Sequence, residues 1–432
     1  MTQKTIDRRT SLAMVFGLAA TAALAGKVAK PPKPPKPPKP PKPSKGAITS
    51  PGSAGTTPAG TVPASPATPA ATQPASIDAI AQSRNMRFGS TVGGTRFPAA
   101  GSFGDASYRA LLLQDCGSLV PEYALKWPSM QYGSARQGYD FSGADDVMSF
   151  ARDNGKAVRG HTLLWLQHDG LPGWMSTYDF GSNPRAGAER LIIDHITRVV
   201  GRYGSQIRSW DVVNEAIDHN TGALIQTPLS RAMGSPEAVI DLAFRVARSV
   251  APAGTQLVYN DFVSWEYGHT AHRSGALALL RGMRQRGVPI DALGLQSHLG
   301  IYWVDPSTGV VSREEGPWRA FLDSVAGLGL DFLITEFDVN DQALAADIGL
   351  RDAAVAEYTR AYLDLMFSYR QTREMLVWGM VDRYSWLQTY APRPDKAAKR
   401  PNTHDDNYAS KPMRDAIAKA FAATSIRAAR PA

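Results

Sequence analysis

The 432-residue sequence contains one cysteine, Cys116. A single thiol excludes an internal disulfide, so stability has to come from a hydrophobic core, which a chain of this length can supply. Cys116 opens an apolar run with no Cys-His signature around it, the setting of a small buried hydrophobe rather than a nucleophile. The eight histidines are scattered, with neither His-x-x-x-His spacing nor cysteine partners, so neither a metal nor a cofactor is expected. After the first 25 residues no apolar run is long enough to span a membrane. Aromatic and acidic residues are nearly missing as far as Ser76. Residues 1–76 carry ten basic side chains against Asp7 alone, a net +9, which leaves −1 for the rest of a chain whose total is +8. The basic character belongs to this N-terminal stretch, so no nucleic-acid partner is implied for the remainder.

Residues 1–25 have the form of a signal peptide. Lys4, Arg8 and Arg9 precede the mostly apolar Leu12 to Leu24, and Ala23-Leu24-Ala25 fits a small-x-small cleavage site. Arg8-Arg9-Thr10-Ser11-Leu12 also resembles a twin-arginine signal, with Ser11 where a bulky apolar residue is usual. Export to the periplasm or the exterior is expected. Residues 26–76 read as a disordered linker, a Pro-Pro-Lys repeat over Lys30 to Lys45 followed by a Ser/Thr/Pro/Ala segment. At roughly 3.1 Å per residue the repeat makes a polyproline II rod on the order of 50 Å long, extended further by lysine repulsion. Two readings stand for it: an electrostatic contact with an anionic envelope or polysaccharide, and a solvated spacer without a partner. A globular domain is expected over 77–425, as a monomer, with a flexible tail over 426–432.

From Met86 onward short apolar runs alternate with amphipathic segments. Strands are predicted at Arg87 to Val92, Ser118 to Glu122, Ala157 to Leu164, Ser209 to Val213, Leu257 to Asn260, Leu293 to Gln296, Phe332 to Glu336 and Met375 to Val381. Helices are predicted between them, such as Arg185 to Tyr203, with Leu191, Ile192, His195, Ile196 and Val199 on one face, and Ala353 to Tyr369. Eight strands alternating with helices over about 350 residues indicate an α/β fold of the (β/α)8 TIM-barrel type. Every strand after the first ends in polar or aromatic side chains: Glu122, Lys126 and Trp127; His161 and Trp165; Asn214 and Glu215; Asn260 and Asp261; Gln296 and His298; Glu336 and Asp338; Trp378, Asp382 and Trp386. In this fold the C-terminal strand ends carry the chemistry. Period-two alternation places Gln296 with His298, and Glu336 with Asp338, on common faces if the strands extend that far.

The segments Arg159-Gly160-His161-Thr162-Leu163-Leu164-Trp165, Trp210-Asp211-Val212-Val213-Asn214-Glu215, Tyr259-Asn260-Asp261, Gly294-Leu295-Gln296-Ser297-His298-Leu299, Ile334-Thr335-Glu336-Phe337-Asp338 and Trp378-Gly379 follow one another in this order. With Pro121-Glu122, Lys126-Trp127, Ser385-Trp386 and, near the end, Asp406 and Lys411-Pro412, they make residues from about Met86 to Phe421 resemble glycoside hydrolase family 10, the retaining endo-β-1,4-xylanases. The resemblance implies that Glu215 is the general acid and base and Glu336 the nucleophile, oriented by His298. It also implies that Asn214 binds the sugar 2-hydroxyl, that Lys126, His161 and Gln296 grip the sugars, with Glu122 one subsite further out, and that Trp165, Trp378 and Trp386 complete the substrate site. The partner would be xylan or a related β-glycan. Two glutamates ending apolar strands agree with this, since glycosidic cleavage needs a pair of carboxyl groups, about 5–5.5 Å apart for retention.

The chain departs from the family pattern in three places. Tyr123 follows Glu122 where the family usually has Asn. The run Leu166-Gln167-His168-Asp169-Gly170 after Trp165 looks like a short insertion, and Phe262-Val263 replaces the usual Tyr-Asn. All three lie on substrate-facing loops, so a non-reducing-side subsite unlike that of a typical xylanase is expected, suited to decorated xylan or to another β-linked polysaccharide. A cellulase, a mannanase or a barrel that binds carbohydrate without turnover are the alternatives.

Overall fold

The computed structural model describes residues 75–429 apart from 95–100, 168, 303, 305–310 and 391. The expected signal peptide and nearly all of the expected linker lie outside the described residues. Nine strands are present: β1 (Arg87–Val92), β2 (Ser118–Pro121), β3 (Ala157–Trp165), β4 (Ile207–Asn214), β5 (Gln256–Asp261), β6 (Ala292–Leu295), β7 (His298–Gly300), β8 (Asp331–Asn340) and β9 (Thr372–Val377). All pairings between them are parallel. The sheet runs β6-β5-β4-β3-β2-β1-β9-β8, and β6 pairs with β8 to close an eight-stranded barrel, the TIM-barrel architecture. The three-residue β7 pairs only with the far end of β8.

The sequence dictates these strands through runs buried on both faces. In β4, Ser209 through Asn214 are all buried, as parallel strands covered by helices require. β3 and β4 approach so closely that a Cβ on Gly160 would lie 2.1 Å from the Trp210 ring, so only glycine fits there. Two of the connecting helices start where the sequence supplies a side-chain cap. Asn183 accepts from Ala186 N ahead of the helix Pro184–Tyr203, and Ser235 accepts from Ala238 N ahead of Pro236–Val250, each with proline in the first turn. Their apolar stripes, Ile192, Ile196 and Val199 on the first and Val239, Ile240, Ala243 and Phe244 on the second, pack into the main core. Two small separate clusters, Val120-Leu376-Trp378 and Val258-Ala292-Leu333, draw on strands across the sheet and fill the barrel itself.

Two differences from the sequence expectation have physical causes. The sixth strand stops at Leu295, because Ser297 turns into the left-handed region at φ 60°, its hydroxyl bonded to Leu295 O and Tyr362 Oη; pairing resumes at His298. Arg427, inside the segment expected to be a flexible tail, is buried. Its guanidinium donates to the carbonyls of Thr372 and Phe367, and its backbone N–H to Arg84 O, so the chain is fastened here at least through Arg427. Cys116 is buried, as its apolar setting indicated.

Arg414, on the helix Pro412–Ala423, ties that helix to the end of the helix Ala106–Asp115 in a bidentate pair with Asp115 at 2.6 and 2.8 Å. Both side chains are nearly inaccessible to water. Removing one member of such a pair strands the other charge in the core. Arg414→Met should therefore lower unfolding stability by about 3–5 kcal/mol, measured by urea denaturation; a loss under about 1 kcal/mol would mean that Asp115 finds water or another partner.

Candidate active site

Glu122, Lys126, His161, Trp165, Asn214, Glu215, Gln296, His298, Glu336, Trp378 and Trp386 come together beyond the C-terminal strand ends, whereas Trp127 stacks on His195 of the helix Pro184–Tyr203 at 3.8 Å and Asp382 pairs with Lys411. Glu215 directly follows β4. Its backbone lies at φ 53°, sparsely populated for a side-chain-bearing residue, and its N–H donates to Asn260 O at 2.9 Å. This turn takes the carboxyl off the strand and directs it toward Gln296, whose amide donates to Glu215 Oε1 at 2.8 Å. Glu336 lies inside β8 with Asn260 Nδ2 donating to Oε1 at 2.7 Å and His298 Nε2 at 3.1 Å from Oε2.

The two carboxyl groups share one set of amides. Asn214 Oδ1 accepts from Asn260 Nδ2 at 2.8 Å and from Gln296 Nε2 at 3.3 Å, so the donor that holds Glu336 and the donor that holds Glu215 meet on a single oxygen. Asn260 Oδ1 in turn accepts from Thr335 Oγ1 at 2.7 Å, which fixes the orientation of that amide. Neither carboxyl can shift without disturbing the other's donor.

Electrostatics separates the pair. Burial raises the pKa of Glu215, with the Asp261 and Glu336 charges adding to the rise and the Gln296 bond opposing it. Burial also works against ionisation of Glu336, but His161, His298 and Lys126 outweigh it and bring its pKa down from 4.5 to about 2. For His298, burial opposes the charge; Asp338, at 3.0 Å from Nδ1, and Glu336 prevail and raise its pKa to about 10, so an imidazolium lies between two carboxylates. The pKa values of the two carboxyl groups are therefore pushed in opposite directions, Glu215 up and Glu336 down.

The remaining expected residues line the same space. Lys126 is buried with Nζ 4.6 Å from the ring centres of both Tyr123 and Trp165. Burial lowers its pKa, against the pull of Glu336, Glu122 and Glu215. Glu122 is pushed up to about 7 by burial, offset in part by Lys126 and by a bond from Tyr123. Trp378 meets His161 and His298 edge-on, at 5.4 and 6.1 Å between ring centres. Trp386 donates its indole N–H to Asp338 at 2.8 Å and lies 5.0 Å from the His298 ring. The loop after Trp165 returns against it, where a Cβ on Gly170 would fall 2.4 Å from the Trp165 carbonyl oxygen. Phe262 packs on His272 at 4.5 Å.

Four functional positions were not among the expected site residues. Asn260, noted only as a strand end, is the amide common to both halves of the site. Thr335 orients it. Asp211 holds His161 Nδ1 at 2.9 Å, and Arg159 holds Asp211 at 2.5 Å, both fully buried below the mouth. The available signal was a polar side chain inside an otherwise apolar strand, which needs a partner wherever it is buried. Among the described residues no group of three or more His, Cys, Asp or Glu side chains is arranged to hold a metal ion.

A family model described as glycosyl hydrolase family 10 matches residues 76–420. The chain is similar to endo-1,4-beta-xylanase 2 of Aureobasidium pullulans, 33% identical over 305 residues that cover 71% of this chain and 80% of that one. Among solved structures it is similar to native xylanase 10B from Thermotoga maritima, at a TM-score of 0.68 and 25% identity over 80% of this chain and 98% of that one. It is equally similar to xylanase 10B from Thermotoga petrophila RKU-1 in complex with xylobiose, at a TM-score of 0.68 and 25% identity over 82% and 98%.

The opposed pKa shifts can be read directly by carbon NMR of glutamate-labelled protein. Gln296→Leu removes the donor that favours the Glu215 anion and should raise that pKa further. His298→Gln should raise Glu336 well above about 2. Glu336 ionises more readily folded than unfolded, so its stabilising contribution is present above about pH 4.5 and fades as pH falls toward about 2. Glu215 behaves oppositely, its contribution being lost as pH rises through the raised value. Finding Glu215 ionised below Glu336 would overturn the assignment.

Proposed function

The chain belongs to glycosyl hydrolase family 10, and we propose from that premise that it cleaves internal β-1,4-xylosidic bonds of xylan by double displacement on Glu215 and Glu336. The observation that carries this reading is a pair of buried carboxyl groups held on one amide relay, with their pKa values pushed in opposite directions. In the first step a Glu336 oxygen attacks the anomeric carbon while Glu215 gives its proton to the departing glycosidic oxygen. The C–O bond to the leaving sugar breaks and a glycosyl ester forms. In the second step Glu215, now a carboxylate, takes a proton from water. The resulting oxygen attacks the same carbon, and the ester bond breaks to return Glu336 to the anion that His298 and Asn260 stabilise.

Asn214 is the sugar 2-hydroxyl ligand in this reading, and Lys126, His161, Gln296 and Glu122 are polar contacts to the sugars, with Trp165, Trp378 and Trp386 as their apolar counterparts. The Tyr123 ring over Lys126 supports the further reading that the non-reducing-side subsite is built differently from an amide-lined one and selects among decorated chains. The N-terminal signal, the Pro/Lys linker, export and a monomeric state belong to the same proposal on sequence grounds alone.

Glu336→Ala and Glu215→Ala should each reduce hydrolysis of xylan by about 10²–10⁴-fold or more while leaving oligosaccharide binding. Proton NMR of the first product should show the β-anomer. An initial α-anomer, or binding of xylan by the wild type without release of reducing ends, would remove the mechanism. Rates on plain xylan, arabinoglucuronoxylan and β-glucans test the subsite. A preference for plain xylan that Tyr123→Asn leaves unchanged would rule out a selective role for the tyrosine.

A further inference from the structure

The opposite end of the barrel carries a second polar pocket that plays no part in this chemistry. It has a volume of about 370 Å³ and is lined by residues near the N-terminal ends of five strands: Arg87 of β1, Arg208 of β4, Gln256 of β5, Leu333 of β8, and Arg373 with Glu374 of β9. Ala428 of the C-terminal segment closes one side, its carbonyl accepting from Arg373 Nη1 at 2.7 Å.

Three guanidinium groups face one carboxylate there, and that carboxylate is already committed. Glu374 Oε1 pairs with Arg208, and Oε2 lies 3.8 Å from Arg159 inside the barrel. Arg208 also reaches Ser118 Oγ at 3.4 Å, while its Nε has no partner. Burial, together with the Arg87 and Arg159 charges, pulls its pKa below the ordinary guanidinium value despite Glu374. Arg373 is 3.6 Å from Asp331, a loose pair. Gln256 is 4% exposed and its amide Nε2 has no acceptor among the described residues. A buried amide N–H left without an acceptor costs about 1–3 kcal/mol, so such donors normally have a partner. Excess positive charge, a deep unpaired amide donor and forked guanidinium groups together describe a receptor for a planar or tetrahedral oxyanion.

We propose that this pocket at the N-terminal end of the barrel is a binding site for a small oxyanion, carboxylate or phosphate, held by Arg87, Arg208 and the Gln256 amide. Arg208 is the first link of a buried chain of ion pairs that continues through Glu374, Arg159 and Asp211 to His161. An anion in the pocket strengthens the restraint on that chain, so its principal effect is on folding stability. The proposal does not depend on which glycan is cleaved.

The test uses the full chain and follows thermal unfolding at constant ionic strength with inorganic phosphate, sulfate, glucuronate or chloride. The expected result is a saturable rise in Tm, on the order of a few degrees at saturation, with at least one oxyanion and none with chloride. Phosphate and glucuronate used separately distinguish a free inorganic ligand from an acidic sugar. Arg87→Gln and Gln256→Leu alter two side chains that form no ion pair or side-chain hydrogen bond across the pocket, so both variants should fold. Each should weaken the half-saturation concentration about tenfold or more, a loss equivalent to one charge-assisted bond. An unchanged midpoint in both variants, a non-saturating rise common to all four salts, or no rise with any oxyanion overturns the site.

Discussion

Removing two carboxyl groups from water pushes both toward the neutral form, and the mouth of this barrel is arranged around undoing that for one of them only. Glu336 receives an imidazolium, a lysine and an oriented amide. Glu215 receives only the neutral amides of Gln296 and Asn214, with two further carboxylates as neighbours. The groups around Glu336 are themselves buried or nearly so and have to be held in place. Asp338 serves His298, Asp211 serves His161, and Arg159 serves Asp211. The chain of polar contacts that starts at Glu336 therefore runs through His161, Asp211 and Arg159 to Glu374 and Arg208, because a buried charge needs a partner.

The strands and the two glutamates were legible in the sequence because both signals are local. An apolar run bounded by turns identifies a parallel strand, and a charge at its end stands out against it. The boundaries fell within three residues at the strand starts for the same reason. The polar residues inside those runs, Asp211, Asn260 and Thr335, gave no local hint of their role. Each acts on a residue of another strand, and that adjacency exists only once the barrel closes. The break at Ser297 was hidden because a left-handed serine looks like any other between Gln296 and His298. The anchoring of Arg427 was hidden because its partners are backbone carbonyls, which every sequence has.

Lys126 shows how neighbours can change the meaning of a residue without changing the residue. Between the rings of Tyr123 and Trp165 its ammonium keeps an attractive contact with both aromatic faces while exchanging water for three carboxylates. Tyr123 adds a bond to Glu122, so lysine, tyrosine and glutamate form one unit beside Glu336. Any sugar that enters here meets a hydroxyl and a ring together, and it competes with an existing internal contact for each.

The backbone at Glu215 carries a consequence of its own. A residue with a side chain occupies, at φ 53°, a conformation that glycine adopts without penalty. The carboxyl there is moreover buried and set among other acids. Stability and turnover thus make opposite demands on one position. A population of variants sorted only for heat resistance would tend to lose this acid early, so a hardened form of the enzyme has to be selected with its activity under assay throughout.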